Sequence, residues 1–424
     1  MTSSLLADLT WRNSIAQTTD LDELAKYLDG GSRSLYLGFD PTAPSLHIGN
    51  LVVLLVLRRF QLAGHKPIPL VGGATGLVGD PSGRNSERTL NEATVVADWV
   101  MKIRSQVERF LDFSGKNAAV MANNLDWTAP LSAIDFLRDI GKHFSVNQML
   151  SKESVSARLE AGGISYTEFS YQVLQAFDFL ELFRRQGCSL QIGGSDQWGN
   201  IVAGVDLIRR VEGKSAYALT IPLMAKADGT KFGKTASGTV WLDPKMTSPY
   251  AFFQFFLNSD DRDVEQLLKS FSFKSRGELE VLFESLRTNP GAREAHRALA
   301  REVTTLVHGA AETANVEAAA RALFGQGELT DLAEETLAGA LSELPRTTIK
   351  RGATIPTWVD LITATGLVES KSAARRIVKE GGAYLNNRKI AGEDFAPSET
   401  DLIHGRFLVL RKGKRDLAAV ELEK

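Results

Sequence analysis

A single cysteine, Cys188, in 424 residues leaves no partner for an internal disulfide, and with six histidines scattered along the chain no spacing resembles a zinc site. Long apolar runs are missing as well. The longest, residues 51–57, stops at Arg58, far short of the ~20 residues a membrane-spanning helix needs. The N-terminus carries no basic stretch followed by an apolar core. These absences argue against membrane and export roles and for a reducing cytoplasm. An excess of one charge is absent too: 49 Lys and Arg against 51 Asp and Glu give a net −2, which by itself points to no nucleic-acid partner. With 43% hydrophobic and 24% charged residues, the chain can bury a large core, and its length predicts two or three domains.

Between residues 35 and 225, short β-rich runs at 35–39, 67–72, 118–121, 189–192 and 219–224 alternate with helical patterns. This alternation predicts an α/β fold with a Rossmann-like parallel-sheet catalytic domain. The helix opening near Leu46 is apolar on every side, which places it in the middle of the fold with its N-terminal end at the sheet's ligand crevice. Beyond residue 247 apolar residues recur at spacings of three and four, in 248–257, 263–270, 278–286 and 293–307, and predict an α-helical domain. Residues 327–352 mix acidic residues with Thr, Pro and Gly and read as a linker. The expected organisation is a catalytic domain over 1–247, a helical domain over 248–326, the linker 327–352 and a small α+β module over 353–424.

Residues 38–50, GFDPTAPSLHIGN, join a strand to the central helix through a proline-rich turn. Unpaired N–H groups and the positive end of a helix dipole favour an anion at such a junction. His47 and Thr42 can donate to phosphate oxygens, and Gly49 lets a ring or ribose approach the backbone. Taken alone, the segment reads equally well as a turn shaped by Pro41 and Pro44, with Ser45 capping the helix and His47 packing. Residues 228–235, DGTKFGKT, place Lys231 and Lys234 in a glycine-bearing loop. It is not a P-loop, because three residues rather than four separate Gly229 from Gly233, and a turn and strand follow where a helix is required. A mobile phosphate clamp and a solvated basic loop are the alternatives. Arg84 and Arg88, four apart on one helical face, are candidate pyrophosphate contacts or surface partners of Glu87. Tyr171, Gln175 and Asp178 share one face of a helix in an otherwise apolar stretch, as a ligand-facing stripe or as ordinary amphipathicity.

HIGN at 47–50 and KFGKT at 231–235 resemble the HIGH and KMSKS signatures of the class I aminoacyl-tRNA synthetases. LVGGATGLVGDPSGR, NNLDW, FLRDIGKHFSVN, YTEFSYQVLQAFDF and LQIGGSDQWGNI follow the order of the tyrosyl branch of that family, and the resemblance covers nearly the whole chain. It implies activation of L-tyrosine by ATP, which arrives with Mg2+, to give tyrosyl-adenylate and pyrophosphate. Tyrosine then passes to the 3' end of tRNA(Tyr). A homodimer is implied, with the region 136–169 as interface. The resemblance puts Asp178 and Tyr36 on the phenolic hydroxyl, and Tyr171, Gln175 and Asp80 on the ammonium group. Because tyrosine's own carboxylate attacks the α-phosphate, the protein supplies alignment and charge stabilisation rather than a general base. Thr42, His47, Asn50, Lys231, Lys234 and Thr235, with Arg84 and Arg88, are the candidates for that work. Gly194 permits close approach of the adenosine, Asp196 can accept from ribose hydroxyls, and Gln191 or Gln197 can reach the amino acid, with Gly38 and Asp40 lining the same crevice. Asn50 stands where the family has its second histidine, and keeps one donor for the ribose without charge. No carboxylate cluster accompanies these motifs as a dedicated metal site. Two other readings are a tryptophan-activating relative, against which Asp178 stands, and a catalytically inactive RNA-binding homologue, against which His47, Lys231, Lys234 and Thr235 stand.

The basic charge is concentrated near the C-terminus, where residues 371–415 hold eleven Lys or Arg against five Asp or Glu. Residues 357–409 resemble a small RNA-binding module found in a ribosomal small-subunit protein and in many bacterial tyrosyl enzymes. Ser372, Arg375, Arg376 and Lys379 share one helical face and, with Lys371 and Arg388, form the expected RNA contact, while Asn386-Asn387 suits a tight turn between strands. A solvated basic helix is the alternative.

Overall fold

Leu35, Tyr36 and Leu37, and likewise Leu190, Gln191 and Ile192, are consecutive buried residues, the pattern of parallel strands covered on both faces. The computed structural model describes residues 4–82, 90–230, 232–235 and 238–423. The chain forms two compact units, residues 1–243 with 260–288, and residues 244–259 with 289–424.

In the first unit β1 (Gln17–Thr18), β2 (Ser34–Phe39), β3 (Lys66–Val71), β4 (Ala122–Asn123), β5 (Cys188–Gly194) and β6 (Tyr217–Ile221) form one sheet in the order β1-β6-β5-β2-β3-β4. All neighbours are parallel except β1 and β6. The chain moves from β2 out to β3 and β4, then returns on the other side of β2 as β5. The strand order therefore reverses between β2 and β5, and a crevice opens at their C-terminal ends. The strand expected at 118–121 shifts to Ala122–Asn123. Pro67 and Pro69 offer no N–H toward that edge, so Val120 makes a single bond to the Pro67 carbonyl and regular pairing begins only at Leu70 and Ala122.

The central helix is Ile48–Leu62, and its buried residues include Ile48, Leu51, Val52, Phe60 and all of 54–57, as its apolar circumference requires. Helices Tyr166–Gln186 and Trp198–Glu212 contribute Phe177, Phe179, Leu180, Leu207 and Ile208 to a core that also contains Tyr36, Ile68 and Leu70 from the strands.

Two sequence-based boundaries are corrected here. Helices Asp261–Phe271 and Arg276–Thr288, expected in the helical domain, belong to the first unit. The buried Arg12 explains it. Its guanidinium donates to the carbonyls of Lys269 and Ser272 at 3.0 Å each and of Lys274 at 2.8 Å, satisfying the C-terminal end of the first helix, while Nε bonds Asp8. Residues 327–352 are also no linker. They contain the helix Glu334–Leu341 and the strand β9 (Arg346–Ile349), which pairs in parallel with β13 (Asp416–Leu422).

The second unit combines helices Pro249–Leu257, Glu294–His308, Ala310–Leu323 and Glu334–Leu341 with a five-stranded sheet. That sheet runs β11 (Arg388–Lys389), β10 (Ala383–Leu385), β12 (Phe407–Lys412), β13, β9. Its core gathers Trp358, Leu361, Ile362, Ala374, Leu385, Leu410 and Val420. The turn expected at Asn386-Asn387 forms, with φ of 46° and 67° between the paired Leu385 and Arg388, the left-handed values a two-residue hairpin turn needs. Its side chains have structural work: Asn387 Nδ2 donates to the Ala322 carbonyl at 2.6 Å, and Asn386 bonds the backbone of Asp401 and Val409.

Candidate active site

The crevice at the strand-order reversal is a cavity of about 520 Å³. At one end lies the N-terminus of the central helix. His47, rather than Ser45, is its cap: His47 Nδ1 accepts from the Asn50 backbone N–H at 3.2 Å, and Asn50 Oδ1 accepts from the His47 N–H at 3.1 Å. Because Nδ1 accepts, a neutral His47 ring carries its proton on Nε2 and offers it as a donor. Asn50 Oδ1 is thus committed to the cap, and the amide N–H groups are what it can present to a ligand. A Cβ on Gly49 would lie 2.8 Å from His47 Cε1, so the glycine is demanded by the histidine ring as well as by any ligand. Ser45 instead accepts from Asp243 N and donates to the Leu46 carbonyl.

The second signature is tied to the first through the backbone. β7 (Lys234–Thr235) and β8 (Gly238–Thr239) form a short hairpin, with Lys234 opposite Thr239 and Thr235 opposite Gly238. Beyond it, Val240 N donates to the Gly233 carbonyl, Ile48 N donates to the Val240 carbonyl at 3.1 Å, and Leu242 N donates to the Leu46 carbonyl at 2.9 Å. The hairpin therefore roots on the first turn of the central helix. Lys231, Arg84 and Arg88 lie outside the described residues, as do the side chains of Lys234 and Thr235.

At the far end, Asp178 is 3% exposed. Its two carboxylate oxygens accept from Trp127 Nε1 at 2.8 Å and Asn124 Nδ2 at 2.9 Å. Burial pushes its pKa up to about 7, against the pull of these two donors. Tyr36 lies close by with its hydroxyl buried and without a partner, and burial beside the Asp178 charge raises that phenol well above its usual range. Gln191 sits opposite Tyr36 on the neighbouring strand, its Oε1 also buried and unpartnered. Both groups line the cavity, so their missing hydrogen bonds are ones a ligand can supply.

Between the two ends are two carboxylates. Asp40 accepts from the Tyr171 hydroxyl at 2.6 Å and from Thr75 Oγ1 at 2.7 Å, while Asp80 accepts from Gln197 Nε2 at 2.7 Å and from Ser82 N at 2.9 Å. Tyr171 is held well above the ordinary phenol range by burial first and the Asp40 charge second. An ammonium group is the natural complement of this pair. Gln175 and Thr42 line the same cavity, as do Gly38, Gly194 and Asp196. Apart from Lys234 and Thr235, whose side chains lie outside the described residues, the described residues singled out for nucleotide and amino acid line this cavity. The structure adds Asn124, Trp127 and Thr75, whose partners lie 35 to 54 positions away along the chain and which no local pattern marks. The motif NNLDW, read only as part of a resemblance, contained two of them.

A second cavity, of about 810 Å³, shares Ser82 and Asp196 with the first and is lined by Asn200, Lys152, Arg210 and His143. Lys152 donates to the Gly199 carbonyl at 2.6 Å, and burial lowers its pKa to about 8. Among the described residues no group of three or more His, Cys, Asp or Glu is placed to hold a metal ion, and no helix is long and apolar enough to cross a membrane.

A switch-point crevice that joins an anion-binding helix end to a buried polar pocket is the architecture of proteins that bring a nucleotide to a small polar ligand. Comparison with known proteins narrows this class. The model of class I tRNA synthetases (W and Y) matches residues 29–325, and that of the tyrosine–tRNA ligase SYY-like C-terminal domain matches residues 336–420. A protein of Streptomyces avermitilis called tyrosine–tRNA ligase is 61% identical over 422 residues, 99% of each chain. The solved structure of a C-terminally truncated mitochondrial tyrosyl-tRNA synthetase from Aspergillus nidulans has a TM-score of 0.69 at 31% identity, covering 76% of this chain and 94% of that one. A tryptophanyl-tRNA synthetase from Encephalitozoon cuniculi, at 13% identity, has a TM-score of 0.53 over 72% of this chain and 86% of its own, which shows the fold alone. The chain belongs to the class I tRNA synthetases of the tryptophan and tyrosine family.

Proposed function

We propose that this chain activates L-tyrosine with ATP and transfers it to tRNA(Tyr). The observation that carries the reading is the deep end of the cavity, where Asp178 and the unpartnered Tyr36 hydroxyl face the same space. A phenol donates one hydrogen bond and accepts another, so tyrosine completes both groups. An indole N–H only donates and would leave Tyr36 unpaired; a phenyl ring would leave Tyr36 unpaired and give Asp178 no donor beyond Asn124 and Trp127, at a cost of roughly 1 to 3 kcal/mol for the orphaned hydroxyl.

With the phenol there, the substrate ammonium falls to Asp40, Asp80, Tyr171, Gln175 and Gln197, and its carboxylate points toward the helix end. The carboxylate oxygen attacks the α-phosphorus of ATP, which enters as its magnesium complex; the bond to the bridging oxygen breaks and pyrophosphate leaves. His47 through Nε2, Thr42, and Lys231, Lys234 and Thr235 of the hairpin loop, with Arg84 and Arg88, stabilise the charge that builds on the phosphates. Gly38, Gly49, Gly194 and Asp196 hold the adenosine, and Asn50 donates from its amide to the ribose. In the second step a ribose hydroxyl at the tRNA 3' end attacks the tyrosyl carbonyl and AMP leaves. The adjoining cavity, with Lys152 and Arg210, supports this step as a basic approach for a nucleic-acid end. The C-terminal unit contacts the tRNA body through Lys371, Arg375, Arg376, Lys379 and Arg388.

A homodimer is part of the proposal. Ile134, Leu137, Val146 and Tyr166 are 51 to 72% exposed within a short stretch of chain, an apolar surface suited to a second copy. Phe136 and Phe169, which bound the interface expected from sequence, instead pack partly against the core. Sedimentation should give a dimer that Tyr166→Asp dissociates. A cytoplasmic setting fits the lone buried Cys188, whose thiol burial pushes up to about 12. The decisive test is exchange of labelled pyrophosphate into ATP with tyrosine, tryptophan and phenylalanine in turn. Exchange with tyrosine alone is expected; exchange with tryptophan alone overturns the amino-acid assignment, and none with any of them overturns the enzyme.

A further inference from the structure

Cations of the C-terminal module differ in whether the protein already pairs them. On the helix Lys371–Lys379, Lys371 lies 2.6 Å from Asp360, and Arg375 and Lys379 share Glu393 at 3.6 and 3.3 Å. These charges are already answered within the protein. On the sheet, Lys389 and Arg411 have no carboxylate within ion-pair distance and no side-chain hydrogen bond among the described residues.

Those two cations flank a tyrosine. Tyr384 on β10 is directly opposite Lys389 on β11 and directly opposite Arg411 on β12, so the three form one row across adjacent strands. Their neighbours Ala383, Leu385 and Leu410 point into the module core, which leaves the row on the other face. The Arg411 guanidinium lies over the Tyr384 ring at 4.2 Å, and its Nε is shielded from water without a partner. Its place over the ring leaves the guanidinium donors unspent. Three strands span roughly 10 Å, enough to bracket a base with its flanking phosphates.

We propose that the row Lys389, Tyr384 and Arg411 is a binding subsite for one unstacked nucleotide of RNA, its base on the tyrosine–arginine stack and its phosphates on the two cations. The proposal rests on the reading of this module as RNA-binding, and moves its principal contact from the helix to the sheet. Cations already paired with Glu393 and Asp360 must break those pairs to reach phosphate, whereas the sheet pair has nothing to give up. An acidic peptide would use the cations but has no call on the stack.

The test is binding of a tyrosine-specific tRNA transcript to the full-length protein, followed by fluorescence anisotropy at several salt concentrations. Tyr384→Leu should weaken binding roughly tenfold, the scale of one lost base stack, and Tyr384→Phe should bind like the parent. Lys389→Gln and Arg411→Gln should each weaken binding and lower the salt slope by about one. Tyrosine-dependent pyrophosphate exchange should stay unchanged in all four. Thermal unfolding checks the fold, and if Tyr384→Leu does not fold, the Lys389 and Arg411 variants decide the matter. Parent-like binding in the sheet variants, with weakening in an Arg375→Gln, Lys379→Gln double variant, overturns the subsite and leaves the RNA-binding module standing. Parent-like binding in every variant, the helix pair included, overturns both.

Discussion

Asp178 carries two constraints that act in opposite directions. Asn124 and Trp127 stabilise its charge, yet burial outweighs them and pushes the pKa to about 7 from an ordinary 3.8. The folded protein therefore holds a proton that the unfolded chain has released between pH 4 and 7. This group's contribution to stability is full below about pH 4 and is lost as pH rises through 7. Substrate binding runs the other way, because the carboxylate is the better acceptor for a phenol. Tyrosine affinity should rise from pH 6 to 8 with an inflection near 7, and binding at pH 6.5 should release protons, measurable by calorimetry in buffers of different ionisation heat. Asp178→Asn should bind more weakly and lose the inflection; an inflection that survives belongs to another group. Tyr36 gives a second expectation. Its hydroxyl is buried without a partner in the free protein, so Tyr36→Phe should leave thermal stability unchanged or slightly raised while weakening tyrosine binding by roughly 0.5 to 1.5 kcal/mol. A variant that loses stability and binding together would show that the hydroxyl has a structural role.

Among the elements, the hairpin after Lys231 depends on a single glycine for its seat against the central helix. Gly233 has φ of 87°, and a Cβ there would lie 3.0 Å from Ile48 Cγ1 at the start of the central helix. Gly233→Ala asks both for a left-handed backbone and for room against Ile48, with a strain on the order of 1 to 3 kcal/mol. Pyrophosphate exchange should fall about tenfold or more, while tyrosine binding measured without ATP stays at the parent value. A matching loss in both would place the defect in the whole fold. Sequence reasoning read residues 228–235 as a loop followed by a turn and strand, and the three residues between glycines excluded a P-loop, but the pairing of Lys234–Thr235 with Gly238–Thr239 was not foreseen. It found the central helix from its all-round apolar pattern, and the hairpin turn from Asn386-Asn387. It missed the cap, because a histidine N-cap held by Asn50 looks like an altered signature rather than a capping box. It misplaced the helices of residues 261–288, because what assigns them is Arg12, some 260 positions away, reaching their carbonyls. It missed Asn124 and Trp127 for the same reason: local periodicity records which face a residue occupies, not which distant carboxylate it meets.

At the scale of the whole molecule, the acidic, threonine-rich stretch before the C-terminal module looks like the place to cut, and it is not. β9 begins at Arg346 and closes the edge of the module's sheet beside β13, so a chain ending at Gly352 keeps a strand whose partner is gone. The module is also fixed to the helices of its own unit. Asn387 donates to the Ala322 carbonyl, His404 Nε2 bonds the Leu332 carbonyl at 2.8 Å, and Arg406 pairs with Glu334 at 2.8 Å. A clean removal starts before β9, after the helix Glu334–Leu341, and gives up three polar contacts at a largely helical surface rather than half a sheet. A chain ending at Ser342 should keep tyrosine-dependent pyrophosphate exchange close to that of the full protein, since every described residue of the 520 Å³ cavity precedes residue 240. It also loses all eleven Lys and Arg of residues 371–415. Its KM for tRNA in aminoacylation should therefore rise roughly a hundredfold or more, and the dependence of that KM on salt should flatten. Undiminished charging with an unchanged salt slope would remove the C-terminal module from tRNA recognition and leave the basic cavity beside Lys152 and Arg210 to carry it.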